Sequence, residues 1–180
     1  ASIPELVKAY NLIDHLEDKH WRDLKTEELK KIISACAGLY LEIVAENQEA
    51  TPQSVLKVKA EVINRSAIPM NLKGIATWPV SIEGLKTVPL ENNIPYFENT
   101  TLQVPKDVAY TNSYYLKEKG TVGMYRVDNQ ENIGIPDVIR QTKAVFLIEI
   151  NGTTIPFERN IVYKYNDDVK GEVYNYLDIV

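Results

Sequence analysis

Residues 54–66 set the pattern around which the rest of the chain is arranged. Leu56, Val58, Ala60 and Val62 point one way and Lys57, Lys59 and Glu61 the other. A period of two marks a half-buried strand with one wet face. Asn64, Arg65 and Ser66 break it as a turn would. The expected place for this strand is the centre of one sheet of a β-sandwich.

The front of the chain has a different period. From Pro4 to about His20, Leu6, Ala9, Tyr10, Ile13 and Leu16 recur at spacings of three and four, predicting a helix. Ser2 and Glu5 fit a capping box, but Ile3 precedes a proline, which disfavours helical backbone, so Pro4 is expected to be the first helical residue. A second helix is predicted from Thr26 as N-cap, with Glu27 and Glu28 in its first turn. Its apolar stripe is Leu29, Ile32, Ile33, Cys36 and Ala37, and Gly38 stops it. Cys36 is therefore expected in the core.

Strands follow. Leu39–Ala45 is apolar at Leu39, Leu41 and Ile43; Glu46–Pro52 reads as a polar turn. Met70, Leu72 and Ile75 point inward from 69–78, with Pro69 marking a strand start or an edge. Residues 84–90 form a short strand, and 95–105 place Thr100, Leu102 and Val104 on one face. Residues 106–136 are irregular, with short strands expected near Tyr114–Leu116 and Val122–Tyr125. Lys143–Tyr165 is the clearest hairpin: Ala144, Phe146, Ile148 and Ile150 alternate with Val145, Leu147 and Glu149, so both faces are largely apolar; an Asn151-Gly152 turn of the preferred type I′ kind follows, then Ile155, Phe157, Ile161, Tyr163 and Tyr165 in phase. Pro156 suggests an edge or a bulge. After a polar turn at 166–171, Val173, Leu177 and Ile179 begin another extended stretch.

About nine short strands behind two helices predict a mainly β chain. The fold class is an immunoglobulin/fibronectin-like antiparallel β-sandwich preceded by a two-helix hairpin. The division falls at 1–38, a helical hairpin or linker packing on a neighbouring domain, and 39–180, the sandwich. No βαβ alternation occurs, so a parallel sheet is not expected.

Composition changes this picture little. The 180 residues are 44% hydrophobic and 25% charged, an ordinary globular balance. The net charge of −5 and pI near 5.2 speak against nucleic acid as a partner. No apolar run approaches the ~20 residues that span a bilayer, so membrane insertion is not expected. The first residues lack the charged and apolar regions of a signal peptide. A start at Ala1 suggests a trimmed chain, either a mature form or an excised piece, and an end at Val180 that still reads as strand fits a natural terminus or an excised piece. Cys36 is the single cysteine, so no intrachain disulfide can form.

Chemistry-bearing motifs are scarce. There is no glycine-rich phosphate loop, no cysteine pair and no nucleophile elbow. His15 and His20, five apart on one expected helix, cannot chelate a metal together. Asp167-Asp168 sits in a turn, and Asp128–Asn132 resembles a calcium loop only in composition. No catalytic residue, metal ligand or cofactor is assigned. Asn64, Asn99 and Asn151 begin Asn-x-Ser/Thr sequons. Eleven tyrosines are many, and several lie in the irregular region. They can cap a core with their hydroxyls in water, or stack on sugar rings. If a ligand site exists, Tyr114, Tyr115 and Tyr125 come first, then Trp78.

Several segments in order carry a resemblance: Ile3-Pro-Glu-Leu-Val-Lys-Ala-Tyr; Ser34-Ala-Cys-Ala-Gly-Leu-Tyr-Leu-Glu; Val62-Ile-Asn-Arg-Ser; Tyr114-Tyr-Leu-Lys with Gly123-Met-Tyr-Arg-Val-Asp-Asn-Gln; Ile133-Gly-Ile-Pro; and Val169-Lys-Gly-Glu-Val-Tyr. Together the chain resembles the region downstream of the catalytic domain in large PIG-L/LmbE-like deacetylases of Bacteroidetes-type bacteria. Such enzymes carry a His-Pro-Asp-Asp motif and a later His-x-x-His in a zinc-dependent catalytic domain, and neither motif is in this chain. The resemblance thus implies a non-catalytic accessory module of an exported, periplasmic or extracellular enzyme acting on N-acetylated sugar conjugates. The implied partners are neighbouring domains of the parent polypeptide, with a glycan bound through loop tyrosines as the alternative.

Overall fold

The computed structural model describes residues 2–78, 87–136, 138–140 and 142–180, with backbone alone at Trp78. In chain order the helices are α1 (Ile3–Asp14) and α2 (Lys19–Cys36). The strands are β1 (Leu39–Ala45), β2 (Glu49–Ala50), β3 (Val55–Asn64), β4 (Met70–Trp78), β5 (Val88–Leu90), β6 (Tyr96–Gln103), β7 (Lys143–Ile150), β8 (Thr153–Asn160), β9 (Val162–Asp167), β10 (Gly171–Tyr176) and β11 (Asp178–Ile179). The predicted strand at 84–90 is seen as β5; residues 84–86 lie outside the described ones.

The strands form a five-stranded sheet, β10-β9-β1-β3-β6, facing a four-stranded sheet, β5-β4-β7-β8, with β2 and β11 paired to one side. The chain is mainly β, a sandwich preceded by a helix pair. Alternation explains the core. Leu39, Leu41, Ile43 and Ala45 of β1 and Leu56, Val58, Ala60 and Val62 of β3 are buried, as are Ala144, Phe146, Ile148 and Ile150 of β7. Fully burying one such side chain, Phe146 for example, contributes roughly 1.5–3 kcal/mol. Pairing around β4 slips by one residue between Leu72 and Gly74. That bulge lets Met70, Leu72 and Ile75 all face inward although 72 and 75 differ in parity. Pro89 and Pro156 both fall on edge strands, where a missing donor costs least.

Some expectations are corrected. β3 is flanked by β1 and β6, one place from the edge, and β1 holds the centre. The extended run after the Asn151-Gly152 turn is two strands. β8 stays with β7, and beyond Ile161 the chain crosses to the other sheet, where β9 pairs with β1 in parallel. A second parallel pairing joins β11 to β2. Tyr114–Leu116 is a turn of 3₁₀ helix, and only an isolated bridge, Thr121 to Met124, marks the second expected strand.

The helices also depart from expectation, in part because α2 starts early. Asp18 accepts a hydrogen bond from the Trp21 amide (3.2 Å) and caps α2 eight residues before Thr26. His15 therefore ends α1, whereas His20 lies in α2, and Thr26 is buried in mid-helix. Ile3, not Pro4, is the first helical residue, and the Ser2 side chain makes no cap bond. The buried stripe of α2 is Thr26, Leu29, Ile33 and Ala37. At about 100° per residue, Ile32 and Cys36 fall on its flank, and both are exposed. Gly38, with φ of +56°, ends the helix as expected.

The helical stripe is covered by this chain's own sandwich. Ile3, Val7 and Tyr10 of α1 and Leu29, Ile33 and Ala37 of α2 belong to the same apolar cluster as the strands. The Asn11 amide donates to the Thr153 hydroxyl (3.0 Å), tying α1 to the start of β8.

Candidate functional site

The tyrosines singled out from sequence do converge. The irregular segment is anchored beside the last strand at Thr111 and at Thr142. The Thr111 amide donates to the Ile179 carbonyl (2.9 Å), the Ile179 amide donates to the Thr111 hydroxyl (2.8 Å), and the Thr142 hydroxyl donates to the Leu177 carbonyl (3.4 Å). Beyond that anchor the segment folds on itself. The 3₁₀ turn presents Tyr114 and Tyr115, and the bridge between Thr121 and Met124 returns Tyr125 to them. Gly120 permits this return, because a Cβ there would lie 2.6 Å from the Met124 carbonyl oxygen.

Tyr114 and Tyr115 meet edge to face with ring centroids 5.4 Å apart, and Tyr115 and Tyr125 meet at 5.1 Å and 62°. These are favourable aromatic geometries. The Tyr114 hydroxyl accepts from the Gly134 amide (3.4 Å), closing the far arm of the loop. Tyr115, Leu116, Glu118, Thr121, Met124 and Tyr125 line an open hollow of about 490 Å³. Tyr115 is 36% and Tyr125 67% exposed, so ring surface remains available. Trp78 pairs with Lys143 through its backbone, and its side chain lies outside the described residues.

The hollow can offer aromatic and apolar contact. The one carboxylate on its lining is Glu118. Among the described residues no group of three or more His, Cys, Asp or Glu could hold a metal ion. No described helix is long and apolar enough to cross a membrane.

A polar cluster that sequence reading missed lies on the outer face of the five-stranded sheet. Lys164 of β9 sits between Glu42 of β1 (3.3 Å) and Glu172 of β10 (3.1 Å), and the Tyr174 hydroxyl donates to Glu172 (2.6 Å). Burial would lower the Lys164 ammonium, but its bond to Glu172 and the Glu42 charge outweigh this and hold it above its ordinary value. Burial, with Glu42 second, pushes the nearby Tyr40 phenol up to about 12. Lys164, Glu172 and Tyr174 belong to the successive strands β9 and β10, but Glu42 comes from β1, more than a hundred residues earlier, and no local spacing signals its arrival. The cluster joins three adjacent strands of the sheet.

Comparison of the chain with protein-family models, with curated proteins and with solved structures finds no match.

Proposed function

We propose that this chain is a non-catalytic accessory β-sandwich module of a larger PIG-L/LmbE-like N-acetyl-sugar deacetylase, with a structural, domain-orienting role. The observation that carries this reading is the two-sided helical hairpin. Each helix buries one apolar stripe in the sandwich. On the other side α2 leaves Trp21, Leu24 and Ile32 exposed, joined by Leu12 of α1 and by Leu16 between the helices. Trp21 is 51% exposed. A helix apolar on more than one side is normally covered on more than one side, and exposed apolar patches mark contact surfaces. The partner named here, a neighbouring domain of the parent polypeptide, rests on the sequence resemblance, as does its periplasmic or extracellular setting.

The test is Trp21→Glu combined with Leu24→Glu, made in this chain and in the parent polypeptide. The isolated chain is expected to keep its melting temperature. In the parent, the catalytic domain should lose stability or become independently mobile in limited proteolysis. Identical proteolysis and activity of the two parent forms overturns the reading.

A second reading, a carbohydrate-binding module, is favoured by Tyr115 and Tyr125 lining one hollow, with Tyr114 packed edge to face behind Tyr115. Titration of the chain with a glycan panel is expected to give saturable heats that Tyr125→Ala removes. Flat calorimetry across the panel eliminates it.

A further inference from the structure

Between α2 and the sandwich lies a cleft of about 460 Å³ that is independent of the tyrosine hollow and of the hairpin's exposed face. Its polar lining comes from Glu27, Lys30, Lys31 and Ser34 of α2, from Tyr40 and Arg65 beside the first sheet, and from Glu158 and Arg159 of β8. Both carboxylates are already engaged: Glu27 with Lys30 (2.7 Å) and Glu158 with Lys143 (3.1 Å). Lys31, Arg65 and Arg159 form no ion pair among the described residues.

The three cations are held differently. The Arg65 guanidinium lies over the Tyr40 ring, 5.1 Å from its centroid, which limits its motion. Gly38 makes room for this, since a Cβ there would stand 3.0 Å from the Arg65 Cβ. Arg159 is half-buried and donates a bond to the neighbouring Glu158 carbonyl (2.7 Å). Burial pulls its guanidinium below the ordinary value. A partly desolvated cation with no counter-charge is unfavourable by itself. Lys31 reaches the rim from the exposed side of α2. On a chain of net charge −5, three cations without carboxylate partners in one cleft are a local reversal of sign.

We propose that this cleft binds a small anion through a phosphate group, with Arg159 and Arg65 as the forked donors and Lys31 as the outer charge. Planar guanidinium groups match phosphate oxygens in pairs, and a lysine adds a point charge. The volume accommodates more than the phosphate itself, so a phosphorylated small molecule is the ligand class.

The test is calorimetric titration of the intact chain at low salt with inorganic phosphate and with glucose 6-phosphate, using acetate as control. Saturable one-to-one binding of a phosphate compound is expected, weakening as salt is added. Arg159→Gln and Arg65→Gln should each reduce affinity about tenfold or more, the loss of one charge-assisted bond. Lys31→Gln, at an exposed position, tests the site without threatening the fold and should weaken binding several-fold. An unchanged melting temperature in Lys31→Gln separates loss of binding from loss of folding. Absence of saturable binding by either phosphate compound, indifference to all three substitutions, or acetate binding as tightly as phosphate overturns the proposal.

Discussion

The Asn64 side chain donates to the Leu90 carbonyl (3.2 Å) and so links the end of β3, in one sheet, to β5 in the other. Its amide also donates to the Ile68 carbonyl (2.9 Å), and its oxygen accepts from the Ser66 amide (3.0 Å) and hydroxyl (2.8 Å). The residue is 1% exposed. Asn64→Leu leaves these backbone groups without their partner, and each buried loss costs about 1–3 kcal/mol. The expected outcome is a lower midpoint in urea unfolding with little change in slope. A midpoint equal to wild type would remove Asn64 as the inter-sheet tie. The same burial takes the Asn64 sequon out of reach of a glycosylating enzyme in the folded chain.

Asp18 separates the two helices by capping α2. Asp18→Ala is expected to destabilise the chain by about 1 kcal/mol. Asp18→Asn, which keeps the accepting oxygen, should cost less. Thermal melts of the pair distinguish a capping effect from general sensitivity at this position.

Cys36 is exposed on the flank of α2. It is expected to react with a maleimide in the native chain, without prior unfolding and with no change in melting temperature. Labelling that requires denaturant would return Cys36 to the core.

Thr26 is buried within α2, and its hydroxyl finds no hydrogen-bond partner among the described residues. Thr26→Val keeps the shape and removes the unsatisfied group, so stability is expected to rise by up to about 1 kcal/mol. Thr26→Ser, which keeps the hydroxyl and loses a methyl, should lower it. Chemical unfolding of both variants checks the sign.

Stability should fall at both pH extremes for identifiable reasons. Asn71 and then Lys73 hold the Glu149 carboxyl below its ordinary value, the Lys170 and Val169 amides do so for Asp167, and Tyr174 with Lys164 does so for Glu172. A lowered folded value gives stability that is full above the ordinary carboxylate range and is lost as pH falls through it. Tyr40 has the opposite sign. Its phenol titrates at about 12 in the folded chain against 10.0 ordinarily, so its contribution is full below pH 10 and lost as pH rises towards 12. Melting temperature against pH is expected to decline on both limbs, with Glu149→Gln flattening part of the acid limb and Tyr40→Phe part of the alkaline one. Unchanged limbs in these variants would place the linkage elsewhere.

What the sequence determined by itself was whatever repeats locally. Alternation in β1 and β3 identified which side chains are buried, because a strand's two faces are fixed by its own pleat; in β7, apolar on both faces, it did not choose between them. Asn151-Gly152 fixed a hairpin, with φ of +51° and +78° at the two positions, because few residues tolerate that backbone. The three tyrosines can be singled out by residue type, but the short strands expected around them are a 3₁₀ turn and an isolated bridge, since an irregular loop has no period to read. Tertiary structure decided everything that depends on a partner far along the chain. Periodicity gave α2 a stripe wide enough to include Cys36 and Ile32, and only the position of the sandwich selected Leu29, Ile33 and Ala37 from it and added Thr26. Nothing local signals that the chain changes sheets at Ile161, because β8 and β9 keep the same alternation while their neighbours change. The same holds for the cleft that Lys31, Arg65 and Arg159 line. Charges from three separate segments share a surface only after the helices have docked, and no spacing along the chain encodes that proximity.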